Sequence, residues 1–167
     1  SPAAYWTFNS WAGDTAGVST GSATINLVVS SNRTLTGNFK AMVASSNTPQ
    51  WWLASYYGAT DFNVAAQADT DGDGMKGWQE YQAGTVPTDA GSKLWVAESV
   101  ETASGLLFRW PSVTGRVYTV MCSTNLTVGW QPGVVASNLW GAVGGTNSYL
   151  VPATNRLGIY RIGVHAP

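Results

Sequence analysis

The stretch Asp69-Thr70-Asp71-Gly72-Asp73-Gly74-Met75-Lys76-Gly77-Trp78-Gln79-Glu80 decides how the rest of the chain is read. It fits the calcium-loop spacing D-x-[DN]-x-[DN]-G-x5-E at every position. Calcium takes about six to eight oxygen ligands at about 2.3–2.6 Å, and this spacing supplies them. Asp69, Asp71 and Asp73 stand at loop positions 1, 3 and 5. Gly74 at position 6 permits the sharp turn, and Met75 at position 7 offers its backbone carbonyl. Gly77 falls at position 9, where a water usually intervenes, and Glu80 at position 12 closes the shell with two oxygens. Without a cation, three aspartates so close together repel one another. A solvated acidic turn is the plainer reading. It does not explain why the glycine and the distal glutamate both fall in place.

Outward from the loop, the composition shifts on both sides. Residues 44–93 hold the helical patterns and most of the carboxylates, while 1–43 and 94–167 are β-patterned. Thr48-Pro49 reads as an N-cap with proline at the first helical position, and Gly58 as the C-cap. Between them, Trp52 with Tyr56 and Leu53 with Tyr57 are i,i+4 pairs. A second short helix is expected from Met75 to Ala83, stopped by Gly84, with Trp78 and Tyr81 packing on the first. Gly58 lies too far before Asp69 for the first helix to abut the loop. In the N-terminal segment, Ile25, Leu27 and Val29 alternate, as do Leu35, Gly37 and Phe39, around Ser30-Ser31-Asn32-Arg33. This predicts a hairpin of 23–29 with 34–40. Trp6 and Phe8 add a short aromatic strand, and Trp11-Ala12-Gly13-Asp14 reads as a turn. Beyond Leu94, strands are expected near 94–101, 105–110, 116–122, 133–137, 146–151 and 157–164, the rhythm of a β-sandwich.

Composition excludes several classes. Only 10% of the 167 residues are charged, against roughly 25% in ordinary soluble domains. A net charge of −1 gives no basic field for a phosphate backbone, so nucleic acid is not an expected partner. No apolar run approaches the ~20 residues of a membrane span. Ser1-Pro2-Ala3-Ala4 opens no signal-peptide pattern, and the chain reads as a mature or excised fragment. One cysteine, Cys122, and one histidine, His165, leave no disulfide framework, zinc finger or His-pair metal site. No carboxylate pair outside the loop stands out as an acid/base couple, because the odd spacing of Glu98 and Glu101 puts them on opposite faces of a strand. The expectation is a protein without catalytic residues. Nine tryptophans imply aromatic cores, exposed stacking platforms, or both. Trp110, Trp130, Tyr118 and Tyr160 read as core, as does Cys122, which falls on an expected strand. Trp140, in the loop-like stretch 137–141, is the candidate contact for a sugar ring or a protein partner; partial burial is the expectation for it.

Three resemblances overlie these readings. Residues 5–39, from Tyr5-Trp6-Thr7-Phe8 through Ser22-Ala23-Thr24-Ile25 to Leu35-Thr36-Gly37-Asn38-Phe39, resemble the second half of an internalin-type B-repeat. Residues 49–87 resemble a calcium module of secreted bacterial proteins, thrombospondin type 3-like or dockerin-like with an EF-hand-like loop. The carrying residues are Trp51-Trp52, Tyr57-Gly58, Asp69 to Gly74, and Glu80-Tyr81-Gln82-Ala83-Gly84-Thr85, followed by Pro87-Thr88-Asp89. Val86 departs from that pattern, where an acidic residue is usual; Asp61, Asn63 and Asp89 are the remaining candidates for a second calcium. Residues 94–164 resemble a fibronectin type III-like domain, through Phe108-Arg109-Trp110, Gly115 to Val120, Ser123-Thr124-Asn125-Leu126, Trp130 and Ile159 to Ile162. Together they imply a mainly β chain: a partial B-repeat-like β-unit at 1–43, a helix–calcium loop–helix insert at 44–93, and a fibronectin type III-like β-sandwich at 94–167. They imply a structural Ca²⁺ and an extracellular or cell-surface setting. The expected role is structural or adhesive, with self-association into filaments through the N-terminal β-unit. The alternative is a carbohydrate-binding accessory module of a glycan-degrading enzyme, with a glycan as partner.

Overall fold

A computed structural model describes residues 3–58, 61–125, 127, 129–130, 132–155 and 158–167, the side chain of Asn155 excepted. Ser1, Pro2 and Leu126, and the first residue of the strand expected at 157–164, lie outside them. The chain is mainly β, with strands β1 (Trp6–Gly13), β2 (Leu35–Ala41), β3 (Val43–Ala44), β4 (Thr48–Pro49), β5 (Glu98–Thr102), β6 (Gly105–Pro111), β7 (Val117–Ser123), β8 (Gly133–Trp140), β9 (Thr146–Pro152) and β10 (Ile159–His165). Its α-helices are α1 (Gln50–Tyr57), α2 (Phe62–Gln67) and α3 (Gly77–Ala83). Two compact units result, Ser1–Ala66 and Gln67–Pro167. This division cuts through the 44–93 segment: the tryptophan-rich helix groups with the N-terminal strands, and the acidic loop groups with the C-terminal sheets.

In the first unit, β1 pairs antiparallel with β2. The expected hairpin of 23–29 with 34–40 does not form; the partner of Leu35–Ala41 is Trp6–Gly13, and residues 25–29 hold no strand. The reason is side-chain pairing. Phe8 sits directly opposite Phe39, with their rings edge to face at 5.9 Å, and Trp11 packs on Phe8 at 5.5 Å. Cross-strand aromatic pairs outweigh a run whose Val28 and Val29 stay 86% and 69% exposed. Trp11, Ala12 and Gly13 continue the strand rather than turning, and the bend comes as a register shift between Phe8 and Ser10. The long connection is tied down where Asp14 accepts from the Thr34 N–H at 2.8 Å and Arg33 donates to the Ala16 carbonyl at 2.9 Å.

Helix α1 begins one residue later than expected, because Thr48 is fully buried in a two-residue bridge and its hydroxyl donates to the Ser45 carbonyl at 2.9 Å. Pro49 then takes the N-cap position, and Gly58 closes the other end at positive φ. The Trp52 and Tyr56 rings meet at a tilt, 5.0 Å between centroids, as their i,i+4 spacing allows, and Leu53 is fully buried.

The second unit holds two three-stranded antiparallel sheets, ordered β5-β6-β9 and β10-β7-β8. Phe108 and Trp110 from β6, Val151 from β9, and Tyr118 and Val120 from β7 form one core to which both sheets contribute. Trp110 and Tyr118 lie 6.0 Å apart, and Tyr160 covers Phe108 at 5.1 Å. The Tyr118 hydroxyl is satisfied by the Val113 N–H at 2.8 Å, as a buried phenol requires. Strand β5 begins at Glu98, not Leu94, so Leu94 and Trp95 precede the ladder. Cys122 is half-buried on β7.

Helix α3 and the loop leading into it are fastened within this unit at three points. Arg116 donates to the Tyr81 carbonyl at 2.9 Å with its guanidinium 5.8 Å over the Tyr81 ring. The Gln82 side chain accepts from the Ala166 N–H at 3.0 Å, and the Met75 sulfur accepts from the Leu94 N–H at 3.4 Å. Tyr81 and Trp78, expected to pack on the first helix, therefore serve the C-terminal unit: Tyr81 under Arg116, Trp78 along a groove with β10.

Candidate metal centre

The acidic loop winds from Ala68 to the first turn of α3, closed where the Gly77 N–H donates to the Ala68 carbonyl at 2.9 Å. Asp69 organises its interior: one carboxylate oxygen accepts from Gly72 N–H at 2.9 Å and the other from Gly74 N–H at 3.0 Å. Asp71 and Asp73 each accept from the backbone two residues on, at 3.2 and 2.7 Å. Gly74 has φ +95, a conformation that side chains resist, and the turn needs it to bring both ends of the loop together. Gln79 accepts from the Lys76 N–H at 2.7 Å, the returning half of a capping box that sets where α3 starts.

These bonds leave a specific remainder. Asp69, Asp71 and Asp73 bring one carboxylate oxygen apiece to within 4.8 Å of one another. One oxygen each of Asp71, Asp73 and Glu80 is buried without a hydrogen-bond partner among the described residues. Glu80 is fully buried on the first turn of α3. Burial, then the charges of Asp71 and Asp73, push its carboxyl up to about 8, partly opposed by the Thr85 hydroxyl; Asp69 adds a smaller push. Four acidic groups therefore share one field with no positive side chain set among them in an ion pair, since the salt bridge among the described residues is Arg109 with Glu98. Buried carboxylate oxygens without partners cost several kcal/mol unless a proton or a cation satisfies them. Oxygen-only donors at this spacing suit a hard divalent cation. Met75 and Gly77, the expected backbone contributors, stand in the same loop; the Met75 side chain also has its own contact with Leu94.

Other expected site residues go elsewhere. Asp61 caps α2, accepting from Asn63 and Val64 N–H groups at 3.0 and 3.3 Å. Asn63 accepts from both the backbone and the hydroxyl of Ser45, at 3.0 and 3.1 Å, and Asp89 closes a turn onto Gly91 at 2.9 Å. None of the three belongs to an acidic cluster among the described residues. Helix α2 itself, ending at Gln67 just ahead of the loop, was missed; an Asp cap before Phe62-Asn63-Val64-Ala65-Ala66-Gln67 was the available signal. Trp140 is not in a loop and not partly buried: it ends strand β8 opposite Val117 and is 62% exposed. Comparison with protein-family models, with curated proteins and with solved structures finds no match to this chain.

Proposed function

We propose that this chain is a calcium-stabilised structural module of an extracellular or cell-surface protein, without catalytic residues of its own. The observation that carries the reading is Glu80: a fully buried carboxyl with a partnerless oxygen in the field of three aspartates. Asp69, Asp71, Asp73 and Glu80 would hold one Ca²⁺ through side chains, with Met75 contributing its carbonyl and Gly77 facing a bound water. The cation supplies charge neutralisation and cross-links the loop to α3. Arg116 on the α3 carbonyl of Tyr81 then passes that rigidity to the sheets. Lettering the C-terminal strands A, B, C, C′, E and F in chain order puts A, B and E in one sheet and C′, C and F in the other, the division used by immunoglobulin-type sandwiches. This supports the fibronectin type III-like reading.

Self-association belongs to the same proposal, through the β1–β2 sheet in place of the expected 23–29 hairpin. It has no third strand among the described residues, and Lys40 is its one charge; the β1 side is partly taken, since the Trp11 N–H donates to the Thr20 carbonyl at 3.0 Å, so the β2 edge is the one offered. Light scattering should show concentration-dependent growth for the full chain and none after removal of residues 1–43; monodisperse monomers from both refute it.

Asp71→Ala tests the metal reading. Extracellular sites of this type bind at roughly 10⁻⁴–10⁻³ M. At about a hundredfold excess over the dissociation constant, binding adds about 2.7 kcal/mol to stability. The substitution should lower Tm in calcium and leave it nearly unchanged in chelator. Equal losses in both conditions would exclude a structural calcium.

A further inference from the structure

The geometry points to a calcium-dependent binding groove for a uronate-bearing oligosaccharide between α3 and β10. The groove has a volume of about 630 Å³, within the range of about 300–1,000 Å³ usual for ligand sites. Strand β10 lines it from Tyr160 to Val164: Tyr160, Ile162 and Val164 also pack on the core, and Arg161 and Gly163 alternate with them, with Met121 opposite Arg161 on β7. Trp95, 52% exposed just ahead of β5, and Trp78 on α3 supply aromatic surface along it.

The chemistry of the lining selects the ligand. Arg161 is the one formal charge on the groove, and it is exposed without an ion pair among the described residues. Gln79 spends its carbonyl oxygen on the Lys76 N–H, and its NH₂ has no partner among the described residues. A flat ring face on tryptophan, an amide donor and a guanidinium together match a pyranose ring carrying a carboxylate, which guanidinium groups bind in bidentate fashion. One isolated positive charge is too little for a phosphate backbone.

One wall of the groove is the calcium loop itself. Met75 is the loop's seventh residue, and Trp78 and Gln79 lie between its ninth and twelfth. The calcium dependence thus rests on the metal reading above. If calcium orders this wall, glycan and calcium each raise the other's affinity by the same factor.

Calorimetric titration of the full chain with hyaluronan and oligogalacturonate hexasaccharides, with chitohexaose as the neutral comparator, tests the groove. In calcium, at least one uronate probe should bind, and chitohexaose more weakly. Trp95→Ala should weaken uronate binding about tenfold or more, with Trp95→Phe recovering part of it. Arg161→Gln should reduce the uronate probe to the level of chitohexaose. Circular dichroism should show both variants folded, since both side chains are exposed. Absence of binding by both uronates at millimolar concentration, or unchanged binding in Trp95→Ala, overturns the site; unchanged binding in Arg161→Gln overturns the carboxylate assignment. Chelator should weaken binding. If calcium raises Tm but chelator leaves glycan affinity unchanged, the coupling fails and the structural calcium stands. If calcium leaves Tm unchanged, the structural calcium fails, and the tryptophan and arginine variants still decide the groove.

Discussion

In the metal-free chain the Glu80 carboxyl, pushed up to about 8 by burial and the neighbouring aspartates, keeps its proton at neutral pH. An unfolded glutamate gives that proton up near the ordinary 4.5. Between those values the folded chain binds more protons than the unfolded one, so stability in chelator falls as pH rises from about 4.5 to about 8 and levels off above. Glu80→Gln should flatten this slope and make the metal-free protein more stable than wild type at pH 8. On the proposed calcium reading, calcium should reverse the ranking, because the glutamine offers one neutral oxygen where the carboxylate offers two charged ones. Calcium affinity of the wild type should weaken as pH drops below about 8, since the cation must displace the Glu80 proton. Thermal melts across that range, with and without calcium, measure both effects. A chelator slope that survives in Glu80→Gln would assign the titration to another group.

Strand β6 begins at Gly105, whose φ of +151 is one that only glycine adopts easily. A Cβ there would collide with the Val151 carbonyl oxygen on β9, so the β6–β9 ladder depends on this glycine. Gly105→Ala should cost roughly 1–3 kcal/mol by denaturant midpoint, whereas Gly144→Ala, with open space around it, should be close to neutral. An equal cost at both positions would show that backbone geometry at Gly105 is not what matters. The same scale shows what a sequence discloses and what it hides. Period-2 alternation located β6, β7 and β9 within a residue or two, since their inward faces Phe108-Trp110, Tyr118-Val120 and Val151 are set by a local rule. The acidic loop was legible because its D-x-D-x-D-G spacing is also local. Partner choice was not. Ile25–Val29 alternates as well as β1 does, but the aromatic match of Phe8 with Phe39 lies outside any local window. Trp140 was misread for a related reason: its stretch looks like a turn, yet it carries the end of β8 opposite Val117. The groove residues Trp78, Trp95 and Arg161 come from three segments and share no sequence pattern that could have grouped them.

At the scale of the molecule, the division at Ala66/Gln67 sets which part of the chain the proposed calcium would stabilise. All four acidic loop residues lie in the second unit, together with the sheets fastened to α3 by Arg116. Binding energy at the loop is folding energy for whatever unfolds with it. The first unit has its own buried anchors, Leu53 at 0% exposure and Trp52 at 8%, and its own sheet. Scanning calorimetry of the full chain should therefore resolve two transitions, only one of which moves when calcium is replaced by chelator. Substitutions identify them. Leu53→Ala should cost about 2–5 kcal/mol in the transition that ignores calcium. Val120→Ala, at the centre of the second core, should lower the transition that responds to it. If both substitutions and the chelator shift a single common transition, the two units unfold as one cooperative block, and calcium holds the whole chain rather than its C-terminal part.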